Sequence, residues 1–169
     1  MNETIAYMVT WTTYGTWMQR EQKDFDKDGK VMAEDAGLRR AKNKWLSQKP
    51  VRLSEEEKRV ARRAIVEKAK RIGQRILAIA VCSKHVHIVF GYDGRGIEET
   101  VRRYKNAATA ALRANGMSGK VWTKGYDKRY CFDEEALKNR INYVQRHNPY
   151  NGTREKNADW LNLLTGEGG

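Results

Sequence analysis

The chain has 169 residues, with 33 Lys and Arg against 21 Asp and Glu, a formal net charge of +12 and a pI of about 9.8. That length fits one domain, and 40% hydrophobic content sustains an ordinary core, which argues against global disorder. No apolar run approaches the ~18–20 residues needed to span a bilayer, and the basic excess favours a polyanionic partner, nucleic acid over membrane.

In chain order, Ile5 to Thr13 is β-branched and aromatic and reads as a strand. Residues from about Gln19 to Pro50 are polar, charge-dense and hold Gly29 and Gly37, which reads as a long insertion with a short helix around Gly37 to Leu46. Ser54 and Glu57 form a capping box that opens a helix running to about Ile72, where Gly73 breaks it. Its expected inner face is Val60, Ala61, Ala64, Ile65 and Ala69. Gln74 to Ser83 is a nearly continuous apolar strand, and His85 to Gly91 follows so closely that an antiparallel hairpin is expected. A second helix, from about Ile97 to Asn115, is expected to bury Val101, Tyr104, Ala108, Ala111 and Leu112 and to expose Arg102, Arg103, Lys105 and Arg113. Val121 to Trp122 and Lys128 to Phe132 supply a fourth strand region. Asp133 caps a last helix that ends near His147, because Asn148-Pro149 forces the chain out of the α region.

The order strand, helix, strand, strand, helix, strand, helix predicts an α+β, ferredoxin-like βαββαβ fold with an added C-terminal helix. Helices cover one sheet face and leave the other to hold chemistry under the last helix. The expected organisation is one domain over 1–150, with the insertion at about 19–50, and a tail over 151–169. Cys82 and Cys131 lack CxxC spacing and read as small buried apolar residues. With no start resembling a signal peptide, a reducing cytoplasm is expected.

The chain has three histidines. His85 and His87, two apart on a strand, face the same side, while Val86, Ile88 and Phe90 face the helices. Tyr143 and His147, four apart on a helix, share one face. Two strand imidazoles, a helix imidazole and a phenol would make a metal site with an attached nucleophile. Asn148 is the fallback third ligand, through its oxygen, if His147 points away. A histidine-triad hydrolase would need a third histidine where Val89 stands, and no Ser-His-Asp set, Walker loop or GxGxxG is present.

His85-Val86-His87 resembles the HUH signature of single-tyrosine DNA transposases. The run VWTKGYDKRYCFDEEALKNRINYVQRHNPY (Val121 to Tyr150) and the start MVTWTTYGTW (Met8 to Trp17) resemble the same group, nearest to the REP-associated tyrosine transposases and their insertion-sequence relatives. Three departures are visible: the long insertion, a histidine at 147 where relatives often carry Gln or Asn, and a short tail. The resemblance implies a bacterial, cytoplasmic, nucleoid-associated enzyme in which Tyr143 attacks single-stranded DNA at hairpin-flanked sites. A 5′-phosphotyrosine link and a free 3′-OH result. It further implies Mg²⁺ or Mn²⁺ on His85, His87 and His147. A free phenol, with a pKa of ~10, needs such help at neutral pH. Arg102, Arg103, Lys105, Lys120, Lys124 and Arg129 are candidate phosphate contacts, and Trp122 is a candidate base-stacking residue, as are Trp11, Tyr14, Trp17 and Tyr126. The basic first helix (Arg59, Arg62, Arg63, Lys70, Arg71) could grip a hairpin stem. Two other readings stay open: a DNA-binding protein of this fold without chemistry, and a metal nuclease that uses water. A homodimer and a monomer are both compatible with the sequence.

Overall fold

The computed structural model describes residues 3–16 and 46–147. Most of the anticipated insertion, the short helix over 37–46 apart from its last residue, Trp17, Asn148 and the tail lie outside the described residues.

Four strands form one antiparallel sheet: β1 (Ala6–Thr12), β2 (Ile76–Val81), β3 (His85–Gly91) and β4 (Asp127–Cys131). Their spatial order is β2-β3-β1-β4. Three helices accompany them: α1 (Glu55–Ile72), α2 (Ile97–Ala114) and α3 (Glu134–His147). This is the α+β ferredoxin-like arrangement plus one helix. Among the described residues no helix is long and apolar enough to cross a membrane.

Each helix starts and stops for a local reason. Ser54 accepts from the Glu57 amide while the Glu57 carboxylate accepts from the Ser54 amide, at 3.2 and 3.0 Å. That reciprocal pair satisfies two orphan donors at the start of α1. Gly73, at φ +68°, ends α1 by donating to the Ala69 and Lys70 carbonyls. The Asp133 carboxylate accepts from the Ala136 amide at 2.7 Å and caps α3.

Strand boundaries are tighter than the composition suggests. Gln74 does not extend β2, because its amide caps α1 through the Ala69 carbonyl and its side chain takes the Tyr104 hydroxyl. The Cys82 amide donates to the His85 carbonyl, so the hairpin turns at once and β2 stops at Val81. Val121-Trp122 adds no strand; Trp122 makes a single bridge to Thr13.

Alternation along the strands builds two cores. On one face Val9, Trp11, Val86, Ile88 and Phe90 meet Ala61, Ile65 and Ala69 of α1 and Val101, Tyr104, Ala108 and Leu112 of α2. On the other, Ala6, Met8, Leu77, Ala78, Ala80 and Val89 meet Leu137, Ile141 and Val144 of α3. In α1, Val60 and Ala64 are only partly buried, whereas Lys58 is buried and paired with Glu55.

Gly15 shows how the loop after β1 is held. It sits at φ +82°, and a Cβ there would stand 2.8 Å from the Pro50 Cα. Left-handed backbone costs an L-residue roughly 1–2 kcal/mol before any clash. Gly15→Ala is therefore expected to lower unfolding free energy by about 2 kcal/mol or more. Urea denaturation followed by circular dichroism checks this; an unchanged midpoint would show that the loop yields freely.

Candidate active site

β3 delivers His85 and His87 to the α3 face, because Val86, Ile88 and Phe90 are committed to the opposite core. α3 lies on that face through Leu137, Ile141 and Val144. Its neighbouring stripe then carries Tyr143 and His147 over the two imidazoles. Ring centroids are 4.6 Å apart for His85–His87, 5.2 Å for His87–His147 and 6.2 Å for His85–His147. The Tyr143 ring lies 4.4 Å from that of His147 and 5.5 Å from that of His87. All three histidines and the tyrosine are thus brought together.

Hydrogen bonds orient the rings. His147 Nδ1 lies 2.8 Å from the Tyr143 carbonyl, which can only accept, so Nδ1 carries the hydrogen and a neutral ring leaves its Nε2 lone pair available. His87 Nδ1 lies 2.7 Å from the Thr10 hydroxyl. With that nitrogen donating, Nε2 is again the free lone pair. The Cys82 thiol donates to the His147 carbonyl at 3.2 Å and ties the end of α3 to the end of β2.

The electrostatics favour neutral imidazoles. Burial, then His85 and His147, lowers the His87 pKa to about 3. Burial, then His147, lowers that of His85. Neutral rings are the form that binds a metal.

Among the described residues, no three His, Cys, Asp or Glu side chains could hold a metal ion as they stand. The imidazoles are gathered without being closed on one point. One atom nevertheless fits a cation: His85 Nε2 is buried without a hydrogen-bond partner. An orphaned ring nitrogen beside two further imidazoles is costly unless something occupies its lone pair.

The expected DNA contacts are distributed unevenly. Arg102 and Lys124 are exposed. Arg103 is held by Glu99 at 2.7 Å. Lys105 is half-buried and donates to the Thr123 and Gly125 carbonyls at 3.0 and 2.7 Å, so its ammonium organises the loop before β4. Lys120 lies 5.3 Å over the Tyr14 ring. Trp122 donates to the Lys105 carbonyl at 3.3 Å and meets Trp11 edge-on at 6.0 Å. Trp11 itself is fully buried, so it is a core residue and not a stacking platform. Arg129 pairs with Asp127 at 3.2 Å. Register places Asp127 opposite Thr10, and Thr10 opposite His87, so this pair shares the sheet face of the imidazoles.

Two site residues escaped sequence reasoning. Thr10 was one threonine among several in β1, and only the antiparallel register that sets it against His87 reveals it. Cys82 read as a buried apolar residue, but it is partly exposed and bonded to α3.

An antiparallel ferredoxin-like sheet with a histidine pair on its central strand, and a tyrosine on the helix above it, defines the class of architecture. The pattern of the family described as Transposase IS200 like matches residues 46–147, more than half of the chain. The chain belongs to that family. No protein of curated function matches it. Among solved structures, it is similar to a REP-associated tyrosine transposase bound to a REP hairpin. The TM-score there is 0.51 at 13% identity, covering 86% of this chain and 67% of the other. It is also similar to a candidate transposase of Deinococcus radiodurans R1, with a TM-score of 0.43 at 16% identity, covering 86% of this chain and 92% of that one. The first likeness supports the fold.

Partners of a ligating imidazole's second nitrogen fix its tautomer and typically change metal affinity by about 10–100-fold when removed. Thr10→Val keeps the branched shape and removes the hydroxyl. We expect it to weaken Mn²⁺ binding by about tenfold in titration calorimetry, with Thr10→Ser restoring affinity. Equal affinity in all three proteins would rule out the orienting role.

Proposed function

We propose that the protein is a metal-dependent single-stranded DNA transposase that cleaves and rejoins DNA at hairpin-flanked sites through a 5′-phosphotyrosine intermediate. The observation that carries this reading is the Tyr143 ring packed 4.4 Å from His147 and 5.5 Å from His87 at the rim of a three-imidazole cluster. A phenol in that position meets any phosphodiester brought to the imidazoles.

The chain's own groups have separable tasks. Tyr143, 37% exposed, attacks phosphorus. Its oxygen forms the new P–O bond, its proton leaves to solvent, and the bond to the 3′ oxygen breaks with that oxygen taking up a proton. The reverse transfer, by an incoming 3′-OH, restores the diester and the phenol, so rejoining consumes no external energy. His85, His87 and His147 would hold a divalent ion, Mg²⁺ or Mn²⁺, which supplies Lewis-acid stabilisation of charge on a non-bridging phosphate oxygen when bound. Thr10 and the Tyr143 carbonyl hold two of those rings in place.

The net charge of +12 supports a DNA partner. Exposed Arg102 and Lys124, with Lys120 and Arg129, remain candidate phosphate contacts, whereas Lys105 acts by shaping the loop that carries Lys124. A DNA-bound state implies a cytoplasmic, nucleoid-associated protein.

Incubation with Mn²⁺ and a pool of 3′-labelled, hairpin-bearing single-stranded oligonucleotides is expected to give a labelled covalent adduct on a denaturing gel. Tyr143→Phe should abolish it. Cleavage that persists without an adduct would replace the tyrosine by water, and binding with no cleavage would leave a DNA-binding protein of this fold.

Imidazole donors suit Mn²⁺ better than the harder Mg²⁺. Adduct formation should therefore be faster in Mn²⁺ at equal concentration. Equal or better rates in Mg²⁺ alone would count against His147 as a ligand.

A further inference from the structure

Among the described residues, four large apolar side chains are exposed, and all four are aromatic. One is Tyr143. The other three, Tyr92, Tyr130 and Phe132, are 53%, 43% and 48% exposed and gather at one corner of the sheet. Tyr130 stands opposite Tyr7 in the β1–β4 register, so it lies on the α1 and α2 face, away from the imidazoles. The Tyr7 ring is 5.4 Å from that of Tyr130 and 5.7 Å from that of Tyr92, steeply tilted to both. Phe132, two residues after Tyr130, stacks on it at 6.0 Å with the ring planes 14° apart. β4 is the end strand of the sheet, so the corner is not flanked by a further strand among the described residues.

Sealing Tyr7 accounts for Tyr92 and for the inner side of Tyr130. It does not account for Phe132, whose only ring partner is itself exposed. Single apolar residues on a surface need no explanation, but a contiguous group marks an interaction site. A second copy of the chain fits it poorly. Two β4 strands paired antiparallel about their middle residue would set Arg129 against Arg129, and like charges directly opposite destabilise a sheet. Unpaired bases fit it well. Every base has a π-face that stacks on an aromatic ring. Tyr130 and Phe132 hold two rings in nearly one orientation, so bases of one strand can meet both. The Lys128 ammonium lies 5.8 Å from the Tyr130 ring and brings a positive charge to the same spot. The neighbouring carboxylates are engaged: Asp93 by Arg95 at 2.8 Å, Asp127 by Arg129 at 3.2 Å and Asp133 by the Ala136 amide at 2.7 Å. The whole chain carries +12, the complement of a phosphate backbone.

We propose that Tyr92, Tyr130 and Phe132 form a stacking platform for unpaired bases of a nucleic-acid strand, on the sheet face opposite the imidazoles. The platform is a second contact with the strand, separate from the place where Tyr143 stands. It requires no chemistry at Tyr143, so it can be measured without cleavage.

The test measures binding of a fluorescein-labelled oligothymidylate, and of a blunt duplex of equal length, to the full chain by fluorescence anisotropy. The double variant Tyr130→Ala, Phe132→Ala is expected to bind the oligothymidylate about tenfold more weakly or worse, the size of a lost base stack. Its salt dependence should stay as in wild type, because no phosphate contact is removed. Affinity for the duplex, whose bases are already stacked, should not change. Tyr130→Phe with Phe132→Tyr keeps both rings and should keep the affinity. Should the alanine pair melt early, Tyr130→Leu with Phe132→Leu, which keeps apolar bulk without a π-face, makes the same comparison. An oligonucleotide carrying 5-iodouracil, irradiated on wild-type protein, should crosslink to Tyr92, Tyr130 or Phe132, as read by mass spectrometry. Unchanged oligothymidylate affinity overturns the proposal, as do an equal loss on the duplex, crosslinks only elsewhere, or no binding by wild type. A wild-type dimer that the double variant turns into a monomer, with affinity unchanged, overturns it in favour of a second copy. Ring-dependent binding with no Tyr143 adduct from wild type would support the platform and remove the proposed reaction.

Discussion

The site depends on the two-residue repeat of β3. Val86, Ile88 and Phe90 are 0–1% exposed in the core under α1 and α2, and each anchors the strand in a register that a one-residue slip would destroy. Because that side is fixed, His85 and His87 have no choice of face. β3 is also flanked by β2 and β1, so its backbone is paired on both edges. The histidine pair therefore stands on the part of the sheet least free to move, as a precise ligand or catalytic constellation requires.

α3 supplies the complementary constraint. Its stripe of Leu137, Ile141 and Val144 covers Leu77, Ala78, Ala80 and Val89, which would otherwise leave an apolar sheet face in water. Docking that stripe fixes the helix rotation, and Tyr143 and His147 then lie over the imidazoles without any contact made for that purpose alone. Two local ties refine the end of the helix, the Tyr143 carbonyl to the His147 ring and the Cys82 thiol to the His147 carbonyl. Val89 belongs to the same economy of space: where a third strand histidine would stand, an apolar residue receives the helix.

Much of this was legible in the sequence because it rests on short-range patterns. The capping box at Ser54 and Glu57, the stop at Gly73, the Asp133 cap and the alternation of β3 all depend on residues a few positions apart. What was hidden depends on register between distant segments. Thr10 meets His87 across 77 positions of chain, and Lys105 turns inward because the Thr123 and Gly125 carbonyls need a donor. Lys58, on the otherwise charged first turns of α1, is buried against Glu55. Trp11 and Trp122 carried no sign of whether their rings would face a ligand or the core; they meet each other edge-on. Charge and aromaticity announce a class of partner, but packing decides which of the residues reach it.

The separation of burial within the cluster has a chemical consequence. His87 is 6% exposed and its pKa is held at about 3, while Tyr143, on the same small patch, is 37% exposed. The interior half of the site is thus kept neutral by the low dielectric around it, and the half at the rim remains open to solvent. With the phenol inside and the imidazoles outside, His85 and His87 would lose the burial that lowers their pKa, and the phenol would be closed to solvent. A protein of +12 net charge attracts a polyanion over its whole surface. In the function proposed above, that attraction would bring a strand close without choosing a phosphodiester, and the choice would fall to the narrow rim where the exposed phenol borders the imidazoles.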